Sequence, residues 1–321
     1  MTTLWRSGTV TGIGSLPGKD PSEAARFLLD ELPIPHLAEL PDRGWHADIA
    51  GRGAALLADL YVDLQPSGWR IVPRASRDGQ RARDLLARDV DALEKAAEHS
   101  APDVLKVQAT GPWTLASLLE LHRGAKVLSD HGAMADLAQS LAEGLKNHVA
   151  DVQRRLPGTT IVMQLDEPSL PAVLAARIPT ASGFGTFRAP KPELARDRLR
   201  TVLAVTEHTV IHCCAPDPPL ALMGEAAAVS FDASLPFNEW VLGELLEKGK
   251  GLLLGVVPAV DGSLPSVKKV LENVGRVRDR SGATDVTLTP ACGMAGASEA
   301  YVRAALKRLL EAAEALEEGQ Q

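Results

Sequence analysis

Eight short apolar or β-branched runs alternate with amphipathic stretches of helical period along 321 residues, and seven of the eight runs end beside a polar or metal-capable side chain. This alternation predicts an α/β protein built as a closed (β/α)8 TIM barrel, in which helices cover the outside of a ring of parallel strands. Length agrees, since a plain barrel takes roughly 250 residues and the surplus falls in loops. No repeat, low-complexity tract or linker interrupts the pattern, so residues 1–321 are expected to form one barrel domain.

The predicted strands cover 8–14 (GTVTGIG), 34–39 (IPHLAE), 103–109 (DVLKVQA), 160–165 (TIVMQL), 208–213 (HTVIHC), 226–231 (AAAVSF), 251–257 (GLLLGVV) and 285–290 (DVTLTP). Each run is bounded by Gly, Pro, Ser or Asp. Helical spacing is clearest over 132–156, where Leu137, Leu141, Leu145 and Val149 share a face. Leu85, Leu86, Val90, Leu93 and Ala97 mark a second helix, and Val302, Leu306, Leu309, Leu310 and Ala313 mark the last. Surplus chain sits at 40–80, read as a long helix and a Pro/Gly-rich connection (QPSGWRIVPR), and at 178–192. The latter is either a lid over a site or a solvated surface loop. The tail EAAEALEEGQQ is an acidic helix end.

Apolar residues make up 45% and charged residues 23%, a globular balance that excludes a disordered or fibrous chain. Aromatics are only 4%, so the core must be aliphatic. A net charge of −7 without a basic cluster argues against a nucleic-acid surface. The longest apolar stretch, 251–260, is about ten residues and too short to span a bilayer. The start MTTLWRSGTV lacks the apolar segment of a signal peptide. Three cysteines make no disulfide framework, and a cytoplasmic location is expected.

Active sites of barrels lie at the C-terminal ends of the strands. Those ends carry Ser15, Glu39, Thr110, Asp166, His212 with Cys214, Asp232, and Cys292; the seventh strand is followed by Pro258 and Ala259 instead. Period-two alternation points His212 and Cys214 to one face and Cys213 to the other. Cys292, in TPACGMAG, follows the eighth strand and converges with them if the ring closes. Imidazole and thiolate donors together select zinc, and Asp232 offers a fourth, carboxylate ligand. The bland alternative is that the cysteines are small buried hydrophobes and His212 a satisfied core histidine. His36, His46, His99, His122, His131, His148 and His208 form no spaced pair and are read as surface or packing residues. The glycine-rich TGIGSLPG and SGFGTF do not follow the dinucleotide pattern.

Five segments, VTGIGSLPG, VQATGPWTLAS, IVMQLDEPSL, VIHCCA and LTPACGM, occur in this order over nearly the whole chain. They resemble the catalytic C-terminal barrel of cobalamin-independent methionine synthase, within the superfamily that includes uroporphyrinogen decarboxylase. The resemblance implies zinc held by His212, Cys214, Asp232 and Cys292. It implies homocysteine held by Ser15 at its carboxylate and by Glu39 and Asp166 at its ammonium. A free thiol is mostly protonated near pH 7, and zinc deprotonates a coordinating thiol outright, so these residue types suit methyl transfer to sulfur. Asp166 has no basic neighbour in sequence, so a substrate ammonium is the cation expected beside it.

Three departures bear on the methyl donor. The family's full-length enzyme has two barrels and 321 residues supply one. Its carboxylate ligand is a glutamate, where Asp232 is one methylene shorter. A family histidine after the seventh strand, implicated in protonating the folate leaving group, corresponds here to Val260 in VVPAVDGSLPSV. The expected function is therefore zinc-dependent methylation of homocysteine to methionine, with a corrinoid protein or another donor in place of folate polyglutamate. The alternatives are methylation of another thiol and a non-catalytic zinc- or amino-acid-binding relative.

Overall fold

The computed structural model describes residue 4, residues 8–180 and residues 182–318. Residues 1–3 and 5–7 of the start, Ala181 of the 178–192 stretch, and 319–321 of the acidic tail lie outside the described residues. The chain runs through α1 (Pro21–Glu31), α2 (Ile49–Ala55), β1 (Tyr61–Gln65), β2 (Gly68–Val72), α3 (Arg77–Ala96), β3 (Val104–Thr110) and α4 (Pro112–Leu118). It continues with α5 (His131–Arg155), β4 (Thr160–Asp166), α6 (Leu170–Leu174), α7 (Pro192–Leu203), β5 (Thr209–Cys213), α8 (Leu220–Met223) and β6 (Ala228–Asp232). The last elements are α9 (Glu239–Glu247), β7 (Gly251–Val257), α10 (Val267–Ser281), β8 (Thr287–Pro290) and α11 (Glu299–Glu318).

Strands β3 to β8 pair in chain order, all parallel, as one curled six-stranded sheet. The fold is TIM-barrel-like, but it is not a complete ring of eight regular strands. The segments expected as the first two strands, 8–14 and 34–39, make only isolated bridges: Val10 with Leu288, Thr11 with Ile34, Ser15 with Glu39, and His36 with Lys106. Their composition explains this. Pro33 and Pro35 have no N–H to donate to a ladder. Gly12 and Gly14 present bare backbone against which neighbours fold: an added Cβ at Gly12 would lie 2.3 Å from His36 Nε2, and one at Gly14 2.7 Å from Gln108 Nε2. Single bonds such as Thr11 N to the Leu288 carbonyl and Leu37 N to the Lys106 carbonyl nevertheless hold both segments beside the sheet.

Residues 61–72 also differ from expectation. They form an antiparallel hairpin, β1 against β2, rather than helix and connection. Pro66 and Ser67 make its turn, Gly68 takes φ +125°, and Val62 and Trp69 are buried as its strand anchors. The described residues of 178–191 form a mostly exposed loop with an antiparallel bridge, Pro179 to Thr186, and the Phe184 ring is exposed.

Two apolar layers hold the sheet. Outside, helices pack on an apolar core that includes Leu105, Leu165, Ile211, Phe231 and Leu254. Inside, Val162, Val210, Ala228 and Leu253 make a small floor. Above it the interior turns polar, with buried Lys106, Gln108, Gln164, His212, Ser230, Thr287 and Thr289. Among the described residues no helix is long and apolar enough to cross a membrane.

Helix α5 docks through small residues. Ser140 Oγ donates to the Ala58 carbonyl at 2.6 Å, and a Cβ on Gly144 would lie 1.5 Å from the Leu56 carbonyl oxygen. Helix propensity alone favours Gly→Ala by about 1 kcal/mol. We expect Gly144→Ala to reverse that sign and lower the unfolding free energy by about 1–3 kcal/mol through overpacking. Gly275→Ala on α10, where nothing lies within 4 Å, should raise it. Urea midpoints of the two variants check the pair.

Candidate active site

His212 lies near the end of β5, and Cys214 follows on the same face. Cys292 comes just after β8. The three ligand atoms lie within 4.8 Å of one another, and the two sulfurs are 2.7 Å apart. His212 is buried; its Nδ1 pairs with Ser230 Oγ at 2.9 Å, and its buried Nε2 has no hydrogen-bond partner among the described residues. An imidazole anchored through one nitrogen with the other unpartnered beside two thiols fits a metal-binding geometry. The sulfur contact separates the pair: Cys214 and His212 hold the Cys292 thiol well below its usual range, while Cys292 and burial push Cys214 well above it. Cys213 points away into the helix-side core, where burial pushes its thiol up to about 12.

Asp232 stands two residues beyond Ser230, hence on the same interior face of β6. Its Oδ1 accepts from Ser234 N at 2.8 Å, and it is not part of the His212–Cys214–Cys292 group. Thr110 also stands apart, donating to the Ile49 carbonyl.

Ser15, Glu39 and Asp166 line one cavity of about 290 Å³ together with His212, Cys214 and Cys292. Ser15 is fixed from two sides. Its carbonyl accepts from Met294 N at 2.8 Å, and Gly293 approaches so closely that a Cβ there would lie 2.1 Å from Ser15 Oγ. Glu39 Oε1 accepts from Arg52 Nε at 3.2 Å, and Arg52 and Arg43 share buried Asp89. Asp166 Oδ1 accepts from Gln164 Nε2 at 2.7 Å.

Asp166 does have a cationic neighbour, contrary to its sequence surroundings. Lys106, wholly buried on β3, donates Nζ to the Ile13 carbonyl at 2.8 Å and acts electrostatically on both Asp166 and Glu39. Burial and repulsion from Glu39 push the Asp166 carboxyl well above its usual range, against the pull of Lys106 and Gln164. Burial lowers the Lys106 ammonium to about 7, against the two carboxylates. Sequence reasoning passed over Lys106 and Arg52. The available signal was a lysine in the middle of an apolar run, in phase with Gln108 and Thr110. After β7, Val260 is exposed, Asp261 accepts from both Ser298 N and Ser298 Oγ, and no imidazole is present.

The model of the cobalamin-independent synthase catalytic domain matches residues 8–315. No curated protein gives a significant match. Among solved structures, a B12-independent methionine synthase from Shewanella sp. W3-18-1, in complex with selenomethionine, superposes with a TM-score of 0.65 at 13% identity over 98% of this chain and 99% of that one. A Listeria monocytogenes protein described as a vitamin-B12 independent methionine synthase superposes with a TM-score of 0.59 at 12% identity, over 96% of each chain.

Glu167, next to Asp166, faces away from the cavity. Its Oε1 accepts from Trp113 N at 2.9 Å and its Oε2 from Thr114 N and Thr114 Oγ1, both at 2.7 Å. A carboxylate thus caps the N-terminus of α4 and ties TGPWT to LDEP. Burial outweighs these bonds and raises the Glu167 carboxyl from 4.5 to about 7. The folded protein therefore holds this proton more tightly than the unfolded chain, so its contribution to stability falls as pH rises between those values. Glu167→Gln, with one acceptor oxygen for three donors, should cost about 1–3 kcal/mol at pH 5. It should also flatten the loss of stability between pH 5 and pH 8, a loss of up to about 3 kcal/mol from this group. Urea unfolding at the two pH values measures both.

Proposed function

Because the chain belongs to the cobalamin-independent methionine synthase catalytic-domain family, and so to the methyltransferases of methionine synthesis, we propose that it methylates homocysteine on sulfur with the help of one zinc ion. The meeting of an amino-acid-type set, Ser15, Glu39 and Asp166, with a His–Cys–Cys set in one cavity carries the proposal. The Shewanella structure holds selenomethionine, a compound of the product's type, which supports the same assignment.

His212, Cys214 and Cys292 would hold the zinc, with Asp232 as fourth ligand if its carboxylate exchanges Ser234 N for the metal. Zinc bound there supplies the Lewis acidity that keeps a coordinating thiol deprotonated at neutral pH. Ser230 orients the imidazole through Nδ1. Asp166 and Glu39 grip the substrate ammonium, and Ser15 Oγ donates to its carboxylate. Together they align the sulfur with an incoming methyl group: the S–CH3 bond forms, the donor–CH3 bond breaks, and the thiol proton leaves to solvent. No imidazole follows β7 to protonate an amine leaving group. A corrinoid donor, whose cobalt departs with the bonding electron pair and needs no proton, suits this site better than methyltetrahydrofolate polyglutamate.

Purified protein is expected to contain about one zinc per chain, as tetrahedral His/Cys sites do. Cys292→Ser should lose most of it and Cys213→Ala should keep it; equal retention in metal analysis would overturn the assignment. Asp166→Asn should leave zinc unchanged and weaken homocysteine binding by about 1.5–3 kcal/mol, the scale of a hydrogen bond to a charged group. Methionine formation should be faster from methylcobalamin than from methyltetrahydropteroyltriglutamate, and the reverse order would sink the donor assignment. Tight homocysteine binding without turnover from either donor would point to a binding module instead.

A further inference from the structure

We infer that Lys106 is a positioning residue of the amino-acid pocket: its ammonium, beneath the cavity, shares the Ile13 carbonyl with Gln164 and balances the charge of the Glu39–Asp166 pair. This role presupposes the amino-acid thiol proposed above. Lys106 does not line the cavity, yet Ile13, whose carbonyl it holds, does. The same carbonyl accepts from Gln164 Nε2 at 2.9 Å, and that amide nitrogen also donates to Asp166. A continuous set of bonds, Lys106 to Ile13 to Gln164 to Asp166, therefore couples the loop carrying Ser15 to the carboxylate opposite.

A purely structural part would not need a lysine. Gln164 already satisfies the Ile13 carbonyl, and a methionine would fill similar volume without the cost of burying an ammonium. What the ammonium adds is charge. Its surroundings are Glu39 and His36 from the 34–39 segment, Asp166 and Gln164 from β4, and Gln108 from its own strand. Arg52 bonds Glu39 but is itself engaged by Asp89, so its charge is divided. With Lys106 present, both carboxylates line the cavity that would take the substrate ammonium. Without it they repel one another, and the hold on that ammonium is lost.

The test compares two ligands on the zinc-loaded full chain by calorimetry: homocysteine and its des-amino analogue, 4-sulfanylbutanoate. In the wild type, homocysteine should bind more tightly. Lys106→Met should lower that preference by about tenfold or more, the equivalent of one pK unit, while the analogue's affinity and the zinc content stay within about twofold. A variant that keeps the wild-type preference, or that loses both ligands equally, overturns the inference. A wild type that binds the analogue as tightly as homocysteine overturns the acceptor assignment and the inference together. Should Lys106→Met fail to fold, Lys106→Gln carries the test, because its amide can still donate to the Ile13 carbonyl but brings no charge. That variant should show the same loss of preference of about tenfold or more. Retention of the wild-type preference, or failure of this variant too to fold, overturns the inference.

Discussion

Two carboxylates, Glu39 and Asp166, stand at the wall of one small cavity, Asp166 buried and Glu39 half-buried. Like charges in such a place demand counter-charge from within the protein. The fold supplies it from two directions: Lys106 rises from inside the sheet, and Arg52 reaches in from α2, backed by Asp89 and Arg43. Much of the surrounding architecture answers to this requirement. The polar interior above the Val162–Val210–Ala228–Leu253 floor gives Lys106 hydrogen-bonding company where an aliphatic interior would expel it. The glycines at 12 and 14 leave room for His36, Gln108 and Glu39 to fold over the backbone beside it.

The same constraint accounts for the irregular seam in the sheet. The segments at 8–14 and 34–39 give up continuous pairing and use their carbonyls and bare backbone to position side chains instead. Ile13 accepts from Lys106 and Gln164, Ser15 is clasped by Met294 and Gly293, and Glu39 closes the bridge opposite. Opposite that seam, β4, β5 and β6 are regular, and Gln164, Asp166, His212 and Ser230 project from them at period two. Irregular backbone positions one half of the site and a regular ladder the other. Glu167 caps α4 and fixes the β4 terminus against TGPWT without lining the cavity.

Read together, the two halves describe a cavity with a soft-donor end and a charged end. Sulfur and imidazole donors gather where β5 and β8 end, and carboxylates and a hydroxyl gather beside the seam. A small zwitterion bearing a thiol matches both ends at once, one reason that family membership and local chemistry agree here.

Sequence alone determined the parts that depend on local periodicity. Alternation placed His212 and Cys214 on one face and Cys213 on the other, and six of eight strands and the long α5 helix followed from apolar spacing. Motif matches singled out Ser15 and Asp166, and strand-end position singled out Glu39, all three of which line the cavity. What escaped were features created by long-range packing. The 61–72 hairpin depends on a turn at Pro66 and Ser67 and on burial of Trp69, and the two interrupted strands depend on side chains that cross bare glycine backbone. Lys106 lies 60 residues before Asp166 in the chain, and Arg52 lies on another element than Lys106. Only tertiary structure brings those charges to the two carboxylates, because electrostatic partnership is set by distance and burial in space, and neither leaves a periodic mark on the sequence.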